Sequence, residues 1–236
     1  MCGRFALSAM LTDIAEEFST SALPNRTLPY DWNIKPTQDI YIIESQRRME
    51  IASWGLIAPW SKNGDEAYRS QSQAINARSE TVHEKPTFRS AFRSRRCLIP
   101  ASGYYEWATA LGDYPSKQPF YISREDSHLL AFAGIHDLWT SPEGVKRKSA
   151  AIITQDATGD LESIHNRMPV ILPRERWEAW LDPNNQEVEA LRQLMRVPNP
   201  TAGLQFWPVR PLVNSIKNNG VELIEAIDLG EPETLF

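Results

Sequence analysis

The residue with the most distinctive chemistry is the cysteine in the opening MCGRF, because removal of Met1 turns Cys2 into an N-terminal 1,2-aminothiol. Sulfur and a free α-amine then sit on adjacent carbons, a pairing no internal cysteine offers. An unperturbed thiol titrates near ~8.5 and an α-amine near ~7.7–8.0, so both are partly nucleophilic at neutral pH. With an aldehyde, the amine forms a Schiff base and the thiol closes a five-membered thiazolidine. Against an amide, the same group attacks the carbonyl with its own amine as base. The competing reading of Cys2 is a small buried hydrophobe.

Four further positions carry side chains suited to assist. Glu106 in GYYEWA is either a solvated carboxylate or one raised by an apolar setting toward use as a general acid. His165 in IHNRMP lies at a strand-to-turn junction and belongs to the one residue type that titrates near neutrality unperturbed. A structural histidine at a turn is the alternative. Asn76 and Arg78 alternate in AINARSE and so face one side of a strand. An amide beside a guanidinium suits orienting a substrate and gripping an anion, or else forms a polar outer face. His83, His128 and His136 have no metal-ligand spacing with one another or with the cysteines, so they read as structural and no metal or cofactor is expected.

Positioning these groups falls to many short elements. Ser8 to Phe18 carries Met10, Leu11, Ile14, Ala15 and Phe18 at helical spacing, with Ser8 as cap. SALPNRTLPYDWNIKPTQ, rich in proline and turn formers, reads as an extended connection. DIYIIES and MEIASWG read as half-buried hairpin strands around Gln46 to Arg48. SKNGDEAYRSQSQ has no periodicity and reads as a surface loop. AINARSE is a short strand, and PTFRSAFRSRR a short basic helix with Arg89, Arg93, Arg95 and Arg96. CLIPA, GYYEWA, QPFYIS, LLAFAGIHDLW and SAAIITQDA form the central run of strands. PRERWEAWL, with Pro173 early, and QEVEALRQLM are helices. LQFWPV and VELIEAI close as strands. This order predicts an α+β fold in a single domain over residues 1–236, a mainly antiparallel sheet curled into a small barrel-like β core with flanking helices.

Composition narrows the classes. A chain of 236 residues, 42% hydrophobic and 23% charged, fits one globular domain and speaks against disorder. No apolar run approaches the ~18 residues of a membrane span, and no secretory signal opens the chain. Cys2 and Cys97 alone imply no disulfide framework, so a reducing, cytoplasmic setting is expected. The net charge of −5 speaks against coating nucleic acid by bulk electrostatics, so any such site must be local. No dinucleotide-binding, P-loop or paired-cysteine zinc pattern is present.

MCGRF, the Asn33 and Pro36 of NIKP, WGLIAPW, INARSET, RCLIPASGYYEW, QPFYI, IITQDA, IHNRMPVIL and VNSIKNNG, in this order, resemble the SRAP family (SOS response-associated peptidase), whose members are abasic-site processing proteins. The resemblance spans nearly the whole chain. It implies that Cys2 crosslinks to the ring-opened aldehyde of an abasic site in single-stranded DNA, with Asn76, Glu106 and His165 at the other catalytic positions. It implies DNA contacts by Arg4, Arg78 and Arg167, with Trp60 and Pro36 flanking the displaced strand and further contacts at Arg96 and Thr154. One departure is IHNRMP, where members often have another residue in place of Asn166 or Met168. The expected partner is single-stranded DNA containing abasic sites, bound by a monomer without membrane or cofactor. Two alternatives stand beside it: an N-terminal-nucleophile amidohydrolase or peptidase, including one that removes its own Met1, and a non-catalytic single-strand DNA binding module.

Overall fold

A computed structural model describes residues 2–109 and 114–229. The chain enters through β1 (Arg4–Leu7), α1 (Leu11–Glu17) and β2 (Asp31–Ile34), then forms the hairpin of β3 (Asp39–Glu44) and β4 (Arg48–Trp54). Next come α2 (Gly64–Gln73), β5 (Asn76–Arg78) and α3 (Pro86–Ser94). The central strands are β6 (Arg96–Ala101), β7 (Gly103–Trp107), β8 (Pro119–Arg124), β9 (Leu130–Thr140) and β10 (Lys146–Asp156). The short β11 (Arg167–Pro169), α4 (Trp177–Leu181), α5 (Val188–Met195) and β12 (Leu204–Pro208) follow.

These strands form two sheets. One has the order β12-β8-β7-β1-β2 and is antiparallel throughout. In the other, β10, β4, β3, β6 and β9 follow one another, and β9 pairs again with β10. That second pairing closes the five strands into a ring, which removes their free edges. The expected α+β architecture with a barrel-like core is the one that forms. Its antiparallel character is broken at β10, which runs parallel to both β4 and β5. Close packing inside the ring requires glycine at 134, where a Cβ would stand 2.9 Å from Cys97 Sγ and from Ile99 Cδ1.

The two sheets are joined by aromatic side chains. Phe5 of β1 lies edge-on to Trp54 at 5.1 Å and to Phe132 at 6.0 Å, and Tyr104 of β7 meets Phe132 at 5.9 Å. Each such pair contributes about 0.5–1.5 kcal/mol beyond its area burial. The strand immediately after Cys2 is therefore wedged into the core.

Several local expectations are corrected. The first helix starts at Leu11 behind Met10 with no side-chain cap, and the Ser8 N–H instead donates to Ser102 Oγ at 3.0 Å. The expected loop after Trp60 contains α2. Its cap is Asn63, whose Oδ1 accepts from the Glu66 N–H at 2.9 Å, and Asp65 and Glu66 complement the dipole of the first turn. The inward face of α2 buries only Ala67 and Gln71, and the Gln71 amide donates to Ser53 Oγ. A polar residue thus holds a core position, which hides the helical period. Asn63→Ala should destabilise the fold by about 1 kcal/mol, read as a lower denaturant midpoint at constant m-value. VELIEAI forms one helical turn at Val221–Leu223 and a single bridge, Val209 to Ala226, where a strand was expected. Pro208 and Pro211 beside Val209 lack the N–H groups a longer ladder needs. Strand β3, expected half-buried, is buried from Ile40 to Glu44.

Candidate active site

The register of β1 on β7 places Arg4 opposite Tyr105 and Phe5 opposite Tyr104, so continuing it brings residue 3 opposite Glu106. Successive side chains of β7 point to opposite faces. Tyr105 turns to one side, packs at a tilt against Tyr121 with ring centroids 5.1 Å apart, and its hydroxyl donates to the Trp32 carbonyl at 2.7 Å. Tyr104 and Glu106 share the other face, toward Cys2.

From the second sheet, β5 delivers Asn76. The strand lies parallel to β10 with Asn76 opposite Ile152, and the Ile75 carbonyl accepts from Trp54 Nε1 at 3.0 Å and from the Ile152 N–H at 3.1 Å. Asn76 Nδ2 then donates to the Cys2 carbonyl at 2.8 Å. The amide orients the backbone of the residue whose amine and thiol would react.

Cys2 is fully buried, with Sγ 3.9 Å from the Arg4 carbonyl it faces. Burial first, and the Glu106 carboxylate second, push its thiol well above the ordinary range, so the sulfur is held as neutral S–H. Glu106 is 4% exposed, and burial pushes its carboxyl up to about 7. Of the two settings open to this residue, the structure has the apolar one. Tyr104 is equally enclosed, its phenol raised by burial and then by Cys2 and Glu106.

His165 approaches from the turn before β11. The Thr109 N–H donates to the Ile164 carbonyl at 2.9 Å, tying the exit of β7 to this turn. The Arg167 N–H donates to His165 Nδ1 at 3.0 Å, which makes Nδ1 an acceptor and leaves the neutral ring's proton on Nε2. Burial lowers the imidazole's pKa, favouring that neutral form. Four residues from β7, β5, the chain start and the β11 turn thus converge.

The expected DNA-contact residues divide by exposure. Trp60 is 56% exposed, Arg78 is exposed and Pro36 is half-buried. Arg4 is half-buried, and its Nη1 donates to Asn33 Oδ1 at 2.7 Å and to the Val213 carbonyl at 2.8 Å. Asn33 Nδ2 holds the same segment through the Ser215 and Asn218 carbonyls at 3.0 and 2.9 Å. Arg167 is buried against Glu80 and Asp156. Like Arg167, two further side chains are withdrawn from the surface. Thr154 is fully buried, and Arg96 is buried with its guanidinium donating to the carbonyls of Trp180, Phe92, Arg93 and Asp182. Arg96 therefore neutralises the carbonyl ends of α3 and α4 in the interior, where a groove contact was expected. From the basic helix, Arg89 and Arg93 remain exposed, while Arg95 pairs with Asp137 at 3.0 Å.

Sequence reasoning passed over Tyr104, whose signal was its two-residue offset from Glu106 on the same strand. It also passed over Glu80, two residues beyond Arg78, and Asp156. Among the described residues no group of His, Cys, Asp and Glu could hold a metal ion, and no helix is long and apolar enough to cross a membrane.

Comparison with known proteins gives a consistent set of relatives. The sequence model of the SOS response associated peptidase (SRAP) family matches residues 1–216. The abasic site processing protein YoqW of Bacillus subtilis (strain 168) is 40% identical over 230 residues, covering 96% of this chain and 100% of the relative. The abasic site processing protein HMCES of Gallus gallus is 35% identical over 210 residues, covering 80% of this chain and 60% of the relative. A crystal structure of a protein from Bacteroides thetaiotaomicron superposes with a TM-score of 0.85 at 26% identity, covering 96% of this chain and 100% of that one.

Proposed function

Because the chain belongs to the SOS response associated peptidase family, we propose that it processes abasic sites by joining Cys2 covalently to the ring-opened aldehyde of the lesion in single-stranded DNA. The observation that carries this reading is the meeting of Cys2, oriented through its carbonyl by Asn76 at 2.8 Å, with a buried Glu106 whose pKa is about 7.

The chemistry runs as follows once Met1 is gone. An abasic deoxyribose is mostly a closed hemiacetal, so the ring oxygen must gain a proton as the anomeric hydroxyl loses one. The Glu106 carboxylate takes the anomeric proton and passes it to the ring oxygen, which accepts a hydrogen bond from the neutral His165 Nε2–H, so the ring opens and Glu106 is a carboxylate again. Loss of one proton from the Glu106 and α-ammonium pair suffices for attack, since the carboxylate takes the ammonium proton and leaves a neutral amine. The amine adds to the aldehyde carbon. Glu106 returns its proton to the departing hydroxyl, and water leaves an imine. The thiol then adds to the imine carbon, its proton passes to the nitrogen, and the thiazolidine closes. The net loss is one water, with no oxidant or reductant. Closure removes the imine before β-elimination can break the strand.

A lesion without a base demands a grip on backbone and neighbouring bases. Arg4, Arg78 and Arg167 are the cations assigned to the backbone, with the exposed Arg89 and Arg93 of α3 as further cations, and Trp60 offers a stacking face.

The test is to incubate protein shown by N-terminal sequencing to begin at Cys2 with a single-stranded oligonucleotide bearing one abasic site. A band that survives denaturation without borohydride, absent with intact oligonucleotide, is expected. No band from such protein would overturn the covalent reading and favour amide turnover by the same nucleophile.

A further inference from the structure

Arg167 is held in an arrangement that a DNA phosphate would otherwise take. Its Nη1 donates to Glu80 Oε1 at 2.7 Å and its Nη2 to Glu80 Oε2 at 3.1 Å, the parallel two-point grip that guanidinium makes with phosphate and carboxylate alike. Nη1 also donates to Asp156 Oδ1 at 2.6 Å, and Nη2 to the Thr154 carbonyl at 2.7 Å. The arginine side chain is 8% exposed, whereas Glu80 is 45% and Asp156 82% exposed. The cation is thus enclosed and its counter-charges face solvent. They come from the chain just beyond β5 and from the end of β10, where Asp156 lies opposite Arg167 in register. Arg78, opposite Thr154 on β5, adds the second cation of the patch. Two arginines and two carboxylates cancel.

We infer that Glu80 and Asp156 are specificity-determining residues of the DNA groove: they occupy the anion-binding fork of Arg167 and weaken its noncovalent hold on undamaged strands, so that the covalent step selects the lesion. This rests on the DNA-binding reading of the site. A backbone grip cannot tell a lesion from an intact strand, and strong binding to every single strand would sequester the protein on competing sites. With the fork already filled, a phosphate reaches Arg167 only by exchange, next to two carboxylates that repel it. A phosphate that replaces a carboxylate in the same two-point geometry leaves the buried cation paired, so exchange stays open to a strand that the aldehyde has already anchored. Glu80 is drawn below its ordinary range chiefly by its bond to Arg167, against the cost of partial burial, so it stays ionised at neutral pH.

The experiment measures binding of the full chain to an intact, fluorescently labelled single-stranded oligonucleotide across a KCl series. Wild type is compared with Asp156→Asn, Glu80→Gln and the double variant. An intact strand has no aldehyde, so the covalent step is absent. Each single change should tighten binding several-fold and the double about tenfold, with the slope of log affinity against log salt steeper by about 0.7 for one added phosphate contact. The double variant should also crosslink an abasic oligonucleotide more slowly than wild type when intact strand is in excess. Unchanged or weaker binding by Asp156→Asn, the more exposed and less structural of the two, overturns the inference. If wild type binds with a salt-dependent affinity and no variant tightens, only the inference fails. If wild type shows no such binding, the DNA reading falls and the inference with it.

Discussion

Cys2→Ser should abolish the adduct that survives denaturation while leaving one that appears only after borohydride reduction. Serine keeps the small residue that permits removal of Met1 and keeps the α-amine, so the imine still forms. Its hydroxyl is a far poorer nucleophile than sulfur, and the stable ring is lost. The exposed imine then acidifies the neighbouring carbon, and elimination of the 3′ phosphate cuts the strand. A denaturing gel should therefore show complete loss of the unreduced band together with new strand cleavage. Cys2→Ala should behave the same way, lacking any ring-closing atom. A full-strength unreduced band from Cys2→Ser would show that sulfur does not make the crosslink. The order of bond formation, amine first and thiol second, is tested separately from the identity of the nucleophile.

The second large effect is expected at Glu106. Its carboxyl, pushed up to about 7 by burial, must ionise before it can take the ammonium proton, so crosslinking by wild type should rise with pH through an apparent pKa of about 7. In Glu106→Gln the rise should move up to the amine's own ~7.7–8.0. The maximal rate should fall by about 10²–10⁴. Stability should respond with the opposite sign. A carboxyl whose folded pKa lies above the ordinary 4.5 takes up a proton on folding, so the stabilisation it supplies is complete below 4.5 and is lost as pH rises through about 7. The loss is about 3 kcal/mol at full ionisation. Glu106→Gln should thus melt higher than wild type at alkaline pH while crosslinking slowly. A variant that lost both rate and alkaline stability would point to a structural carboxyl.

What the sequence disclosed and what it hid have physical causes. Strands such as CLIPA and the LAFAGI half of β9 were legible because both of their faces are buried in the ring, which writes a continuous apolar run into the chain. Helix α2 was illegible because it rests on one alanine and one glutamine, and a buried amide satisfied by Ser53 reads as surface. Arg96 looked like part of a basic patch because charge is visible in a sequence and direction is not. Arg96 opens strand β6, and its guanidinium turns inward to four carbonyls while Arg89 and Arg93, on the helix before it, turn out. The raised Glu106 and the tautomer of His165 depend on burial and on one backbone N–H two residues away, neither of which periodicity encodes.

The Arg4 guanidinium, bonded to the Val213 carbonyl across 209 residues of chain, has a consequence for synthesis. Arg4 leaves the ribosome 209 residues ahead of the carbonyl that holds it. At roughly 5–20 residues per second, the gap is on the order of 10–40 s. During that interval the strand behind Cys2 lacks this contact, and any freed aminothiol is more open to small aldehydes in the cell. Synthesis through Val213 is therefore the point at which the strand behind that end group can be fully seated.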